Sequence, residues 1–177
     1  GIELRAAEPD CVTEDDVIQR CSDADVLLVQ WAPITRKVLE SLPRVKCLVR
    51  YGIGVNNLDI EACRELGVTA CNVPDFCVEE VSNHALALIL SLARRIPHDH
   101  NSIVRGGWNI NEFRPMPALS DMTLGLVGFG KIARLLARKA QALLFNVVAY
   151  DPLVPASQFA ELGVEQVSFD QLLDRSD

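Results

Sequence analysis

Gly128-Phe129-Gly130, with the small residue Ala133 three positions on, has the spacing of a phosphate-binding turn. The first glycine permits a tight bend and the second lets the backbone come close to a pyrophosphate. The small third residue lets the following helix pack near its strand. A helix starting at this turn presents free N–H groups and a positive dipole end to an anion, with Lys131 and Ile132 at its first positions. Asp151 follows about 20 residues later, where an acid can accept hydrogen bonds from an adenosine ribose diol. Read together, Gly128, Gly130, Ala133 and Asp151 point to a dinucleotide site. The plainer alternative is a βαβ unit whose glycines only make the turn.

A second candidate is Arg50-Tyr51-Gly52-Ile53-Gly54-Val55. Two glycines beyond a strand end make a backbone nest for an anion. Arg50 strengthens that reading over a simple strand-to-helix turn, because a guanidinium fork suits a carboxylate.

The elements that must position these residues are short and alternate. Thr13–Cys21 reads as a helix, with Thr13 as its cap and acids in its first turn. Residues 25–29 read as a buried strand, 46–50 and 68–73 as further strands, and Gly1–Arg5 as the tail of another. Helices are expected from Thr35 to Leu42 and from Ile60 to Leu66, the first capped by Thr35 and the second stopped by Gly67. Val78–Arg95 is apolar on most sides, which predicts a helix buried on most sides, with His84 packed on it. Residues 97–118 hold Gly106-Gly107-Trp108, Pro115 and Pro117 and read as an irregular boundary, with His98 and His100 solvated. Then come strand 124–127, the helix after Gly130, strand 147–150, helix 155–162, strand 164–167 and a helical turn at 169–173. This alternation predicts two parallel α/β lobes, 1–96 and 97–177.

Of 177 residues, 49% are hydrophobic and 23% charged, an ordinary composition for one or two globular domains. Seventeen basic against 24 acidic side chains give a net charge of −7 without a basic run, which argues against nucleic acid or an anionic membrane as partner. No apolar run reaches the ~18–20 residues of a membrane span. The six cysteines make no CxxC pair; they read as small buried hydrophobes in a reducing, cytoplasmic setting, and no metal site is expected. The chain begins with Gly and shows no signal peptide, so its native N-terminus is expected to be missing.

Three stretches carry a resemblance to a known family: RYGIGVNNLDIEACRELGVTACNVP (50–74), VEEVSNHALALILSLARR (78–95) and TLGLVGFGKIARLLARKAQALLFNVVAYDP (123–152). They resemble the D-isomer-specific 2-hydroxyacid dehydrogenases, phosphoglycerate dehydrogenase and its relatives among them. CNVPDFCVEEVSNHALALIL looks especially like the branch of the C-terminal binding protein corepressors. The resemblance implies a flavodoxin-like substrate lobe followed by the first part of a Rossmann domain. It implies that the amides of residues 50–55 hold a substrate carboxylate, that Gly128–Ala133, Phe129 included, is the pyrophosphate loop with Lys131 and Ile132 supplying N–H groups, that Ile53 and Val81 touch the cofactor, and that Asp151 selects NAD over NADP. It implies hydride transfer between nicotinamide and C2 of a small 2-hydroxy or 2-oxo acid, and a homodimer packed through residues 90–118. The family's catalytic Arg, Glu and His fall beyond Asp177, so no catalytic residue is expected here and the chain alone is expected to be inactive. The alternative it carries is a non-enzymatic NAD(H)-binding regulator of the corepressor type.

Overall fold

The computed structural model describes residues 1–109, 111, 112 and 114–177. The chain divides into two compact units, Gly1–Phe76 and Cys77–Asp177. Each has a three-stranded parallel sheet, in keeping with the α/β class.

In the first unit, β1 (Val26–Val29), β2 (Cys47–Arg50) and β3 (Thr69–Asn72) lie in that order, with Val29 opposite Arg50 and Arg50 opposite Asn72. Strand residues alternate between the two faces. Leu27, Val29 and Leu48 point into a core completed by α1 (Glu14–Arg20), α2 (Arg36–Ser41) and α3 (Ile60–Glu65) through Val17, Val38, Leu39, Ala62 and Cys63. Val26 and Leu28, on the other face, are exposed. The cap of α1 is as expected and is a full capping box. The Thr13 hydroxyl accepts the Asp16 N–H at 3.2 Å, and the Asp16 carboxylate accepts the Thr13 N–H at 2.8 Å. Thr35 departs from its expected role. Its hydroxyl donates to Glu14 at 2.6 Å and makes no cap bond to α2. Gly1–Arg5 forms no strand.

In the second unit, β4 (Thr123–Val127), β5 (Asn146–Tyr150) and β6 (Glu165–Gln166) lie in order, with Val127 opposite Tyr150. Helix α6 (Lys131–Ala142) crosses between β4 and β5; α7 (Ala156–Ala160) and α8 (Phe169–Arg175) follow β5 and β6. Leu136, Ala137 and Ala140 of α6 pack with Leu126, Phe129, Val147, Ala149 and Phe159 in one core.

The helix at 78–95 is present as α4 (Val78–Ala93). The boundary between units lies before it, not in the 97–118 stretch. One stripe of α4 (Ala85, Leu86, Ile89, Leu90) packs on the α6 core, so the helix is part of the second unit. It is not buried on most sides. Ser82 is its one fully buried residue, whereas Val81, Leu88 and Leu92 are exposed, and so is His84. Residues 97–118 are also more regular than expected, since α5 (Ile96–Val104) occupies their start. Arg95 takes a left-handed φ of 53°, which breaks the chain direction after α4. Pro97 then falls in the first turn of α5, where its missing N–H is harmless.

Candidate functional site

The turn after β4 is built by three bonds. Gly128 takes φ 91°, a conformation that L side chains rarely adopt, and its N–H donates to the Tyr150 carbonyl at 2.7 Å. The Phe129 N–H donates to Asp151 Oδ2 at 2.8 Å, and the Leu153 N–H donates to Asp151 Oδ1 at 2.9 Å. Gly130 then caps α6 in extended backbone, and a Cβ there would meet nothing within 4 Å. The amides of Gly130, Ile132 and Ala133 have no acceptor among the described residues, as is usual for the first N–H groups of a helix.

Asp151 thus has a structural task of its own. It fastens the end of β5 to the turn that leaves β4. The two backbone donors, Phe129 first and Leu153 second, hold its carboxyl below the usual carboxylate range, so it is ionised at neutral pH. Each oxygen keeps a lone pair for a further donor.

Phe129 turns inward. Its N–H is occupied by Asp151, and its ring is fully buried, stacked on Phe159 with centroids 4.3 Å apart. It braces the turn from beneath. Val81 sits exposed on the first turn of α4, its N–H bonded to the Cys77 carbonyl. Phe159 and Leu153 were missed by sequence reasoning. A buried aromatic on α7 was the available signal for the first, and none pointed to the second.

The 50–55 turn narrows to three open amides. The Tyr51 N–H is taken by the Val29 carbonyl at 3.1 Å, and the Gly52 N–H by the Arg50 carbonyl at 2.9 Å. Asn72 Nδ2 donates to the Ile53 carbonyl at 2.8 Å, the Val73 N–H to the Gly52 carbonyl at 3.0 Å, and the Leu58 N–H to the Val55 carbonyl at 2.9 Å. The carbonyls are thus fixed, while the N–H groups of Ile53, Gly54 and Val55 have no acceptor among the described residues. Tyr51 and Ile53 have exposed side chains. The turn lies at the carboxyl end of β2, the side of a parallel sheet where ligands bind.

No group of three or more His, Cys, Asp or Glu among the described residues could hold a metal ion. No helix of the described residues is long and apolar enough to cross a membrane.

A family model described as D-isomer specific 2-hydroxyacid dehydrogenase, catalytic domain, matches residues 4–170. The chain is 34% identical over 168 residues to D-3-phosphoglycerate dehydrogenase of Methanocaldococcus jannaschii, covering 94% of this chain and 32% of that protein. It thus spans about a third of the length of the curated relatives it matches. Its fold is similar to D-lactate dehydrogenase from Aquifex aeolicus complexed with NAD and lactic acid, with TM-score 0.80, 26% identity, and 90% and 48% of the two chains covered. NAD-dependent formate dehydrogenase from Staphylococcus aureus in complex with NAD is similar at TM-score 0.74 and 28% identity, covering 92% and 49%.

Proposed function

The chain belongs to the D-isomer-specific 2-hydroxyacid dehydrogenases, and on that premise we propose that it supplies the carboxylate turn and the pyrophosphate turn of an NAD-dependent oxidoreductase. The reaction is hydride transfer between nicotinamide and C2 of a small 2-hydroxy or 2-oxo acid. The observation that carries this reading is the set of open amides at Gly130, Ile132 and Ala133 beside an ionised Asp151. Phosphates gain from the first, a ribose diol from the second, and a 2′-phosphate is repelled by the second.

The residues present suit that cofactor. Gly128 bends the turn, Gly130 leaves open space above the backbone, Lys131 and Ile132 lead α6, and Asp151 takes the adenosine ribose. When bound, the nicotinamide accepts or gives the hydride. The chain's own part is to hold the acid: the amides of Ile53, Gly54 and Val55 receive its carboxylate, with Arg50 beside them and Ile53 reaching the cofactor. Residues 1–76 serve as the substrate-binding unit, and the unit beginning at Cys77 serves as the NAD-binding one. Val81, at the start of α4, lies on the cofactor side.

Hydride transfer also requires the proton-moving trio that the family resemblance implies. Residues 1–177 are accordingly expected to bind NADH, and a polypeptide that also carries the trio to turn over 2-oxo acids. The decisive measurement is titration of the chain with NADH and NADPH, followed by cofactor fluorescence. Tighter binding of NADH supports the reading. Equal binding, or none, sinks it.

The same reading makes the protein a cytoplasmic homodimer, joined through the face where Leu92, Ile96, Ile103, Val104 and Trp108 are exposed. The cysteines are not uniformly the small buried hydrophobes expected, since Cys63 alone is buried and Cys71 is exposed; the net charge of −7 opposes a nucleic-acid partner. Sedimentation velocity at micromolar concentration tests the dimer, and a monomer refutes it. The relatives described above carry dehydrogenase names, and none of them supports the corepressor-type alternative.

A further inference from the structure

Arg50 is held in an unusual way. Its guanidinium lies over Gly52, filling the space that a Cβ at residue 52 would take. Its other side faces the indole of Trp31, with Cζ 5.2 Å from the ring centroid. Its Nε is buried without a hydrogen-bond partner among the described residues, and no described carboxylate pairs with it. A guanidinium in a folded protein ordinarily finds an acceptor. The other well-placed cations of this unit do: Arg5 pairs with Asp23, Arg36 with Glu65, Lys37 with Asp15 and Arg44 with Asp25. Arg50 instead sits beside the three open amides of Ile53, Gly54 and Val55.

Trp31 is equally out of place as a packing residue, since it is 76% exposed. It follows the end of β1, two residues beyond Val29, whose carbonyl accepts the Tyr51 N–H at 3.1 Å. That bond brings the loop after β1 to the start of the turn after β2. The indole, mostly in solvent, lies against the Arg50 guanidinium.

We propose that Trp31 is a positioning residue that clamps the Arg50 guanidinium against Gly52, so that Arg50 stands ready as a preformed carboxylate receptor beside the Ile53–Val55 amides. This rests on the reading of that turn as the carboxylate site. A cation–π contact is stronger with Trp than with Tyr or Phe. A planar fork held in place loses less freedom on binding a carboxylate than a free arginine does. The ligand class is a small 2-oxo or 2-hydroxy monocarboxylate or dicarboxylate. The amides take one carboxylate oxygen and the guanidinium the other.

The test is a titration of the 15N-labelled chain with oxalate, followed at the amides of residues 53–55. For wild type these three signals should shift together. Trp31→Ala should weaken oxalate binding about fivefold, the scale of an exposed-to-partly-shielded cation–π contact. Trp31→Phe should recover most of it. Gly52→Ala, which evicts the guanidinium without touching the indole, should weaken binding by a similar factor. In an Arg50→Met background, Trp31→Ala should have no further effect, because its action runs through the arginine. If the amides shift but Trp31→Ala or Gly52→Ala binds as wild type does, the clamp is refuted and the carboxylate turn stands. The clamp is equally refuted if Trp31→Ala still weakens binding without Arg50. If the amides of 53–55 do not shift at all, the carboxylate turn itself is refuted and the clamp with it.

Discussion

The carboxylate of Asp151 accepts the backbone N–H of Phe129 at 2.8 Å, so the acid that closes β5 also fixes the turn that leaves β4. On the proposed reading one side chain performs two tasks: it shapes the turn after β4, and it offers charge to an adenosine ribose. Removing it should harm both. Asp151→Ala is expected to weaken NADH binding by about tenfold or more, the scale of a lost charge-assisted hydrogen bond. It should weaken NADPH binding less, because the repulsion of the 2′-phosphate disappears with the carboxylate. Parallel fluorescence titrations with the two cofactors check this. An unchanged ratio of affinities would contradict the assignment.

The acid limb of the stability curve follows from the same bond and its counterparts. Asp16, Asp23 and Asp151 are held below their ordinary value of 3.8, and Glu14 and Glu165 below 4.5. The leading causes are hydrogen bonds from Thr13, Arg5, Phe129, Thr35 and Arg175 respectively. Each group is ionised more readily folded than unfolded. As pH falls past 4.5 and then 3.8, the unfolded chain takes up protons first, and the stability that these bonds contribute is lost through the lower folded values. Stability should be flat from about pH 5 to pH 8 and fall below that window. Urea titrations at several pH values measure it. In Asp151→Asn the fall between pH 5 and pH 2 should be shallower than in wild type.

Much of this was legible in the chain because the signals were local. Gly128, Gly130, Ala133 and Asp151 have fixed spacing, and the β4–α6–β5 unit around them changes hydrophobic period from strand to helix and back. The N-cap of α1 was readable for the same reason. What escaped was decided by partners distant in sequence. Thr35 has the right type for a cap, but Glu14 takes its hydroxyl from 21 residues away. Phe129 stands in the cofactor motif, yet stacking on Phe159 turns its ring inward. The apolar surface of α4 predicted burial on most sides, and one stripe alone finds the α6 core. Trp31 carried no motif at all, and only the fold sets its ring against Arg50.

Two glycines two residues apart should fail in different ways. Gly128 holds φ 91°, so Gly128→Ala strains the backbone and should lower stability by about 1–2 kcal/mol. Gly130 has ordinary extended backbone and open space where a Cβ would stand. Gly130→Ala should change stability by less than about 0.5 kcal/mol. On the proposed reading the pyrophosphate approaches through that space, so NADH affinity should drop well beyond the stability change. Thermal melts and NADH titrations on both variants separate the two effects. A Gly130→Ala protein that binds NADH normally would remove Gly130 from the cofactor site.

Lys139 offers a test of what holds α4 to α6. Its ammonium donates to Ser82 Oγ at 2.7 Å and to Asn83 Oδ1 at 2.5 Å, and the buried Ser82 hydroxyl donates in turn to the Glu79 carbonyl at 2.8 Å. Lys139→Met keeps the apolar stem and deletes the donor. Asn83 is exposed and recovers its bond from water, whereas Ser82 Oγ keeps an acceptor site that water reaches poorly. The expected loss is about 1–2 kcal/mol. Asn83→Ala should cost less than about 0.5 kcal/mol. Adding Ser82→Ala to Lys139→Met should return part of the loss, because the buried oxygen left without a donor is removed. Lys139 lies in the last turn of α6, far along the helix from the open amides at Gly130, Ile132 and Ala133. NADH affinity should therefore hold while stability falls. Chemical denaturation of the single and double variants, with cofactor titrations alongside, decides it, and a double variant no more stable than Lys139→Met would show that the buried hydroxyl is not what the ammonium satisfies.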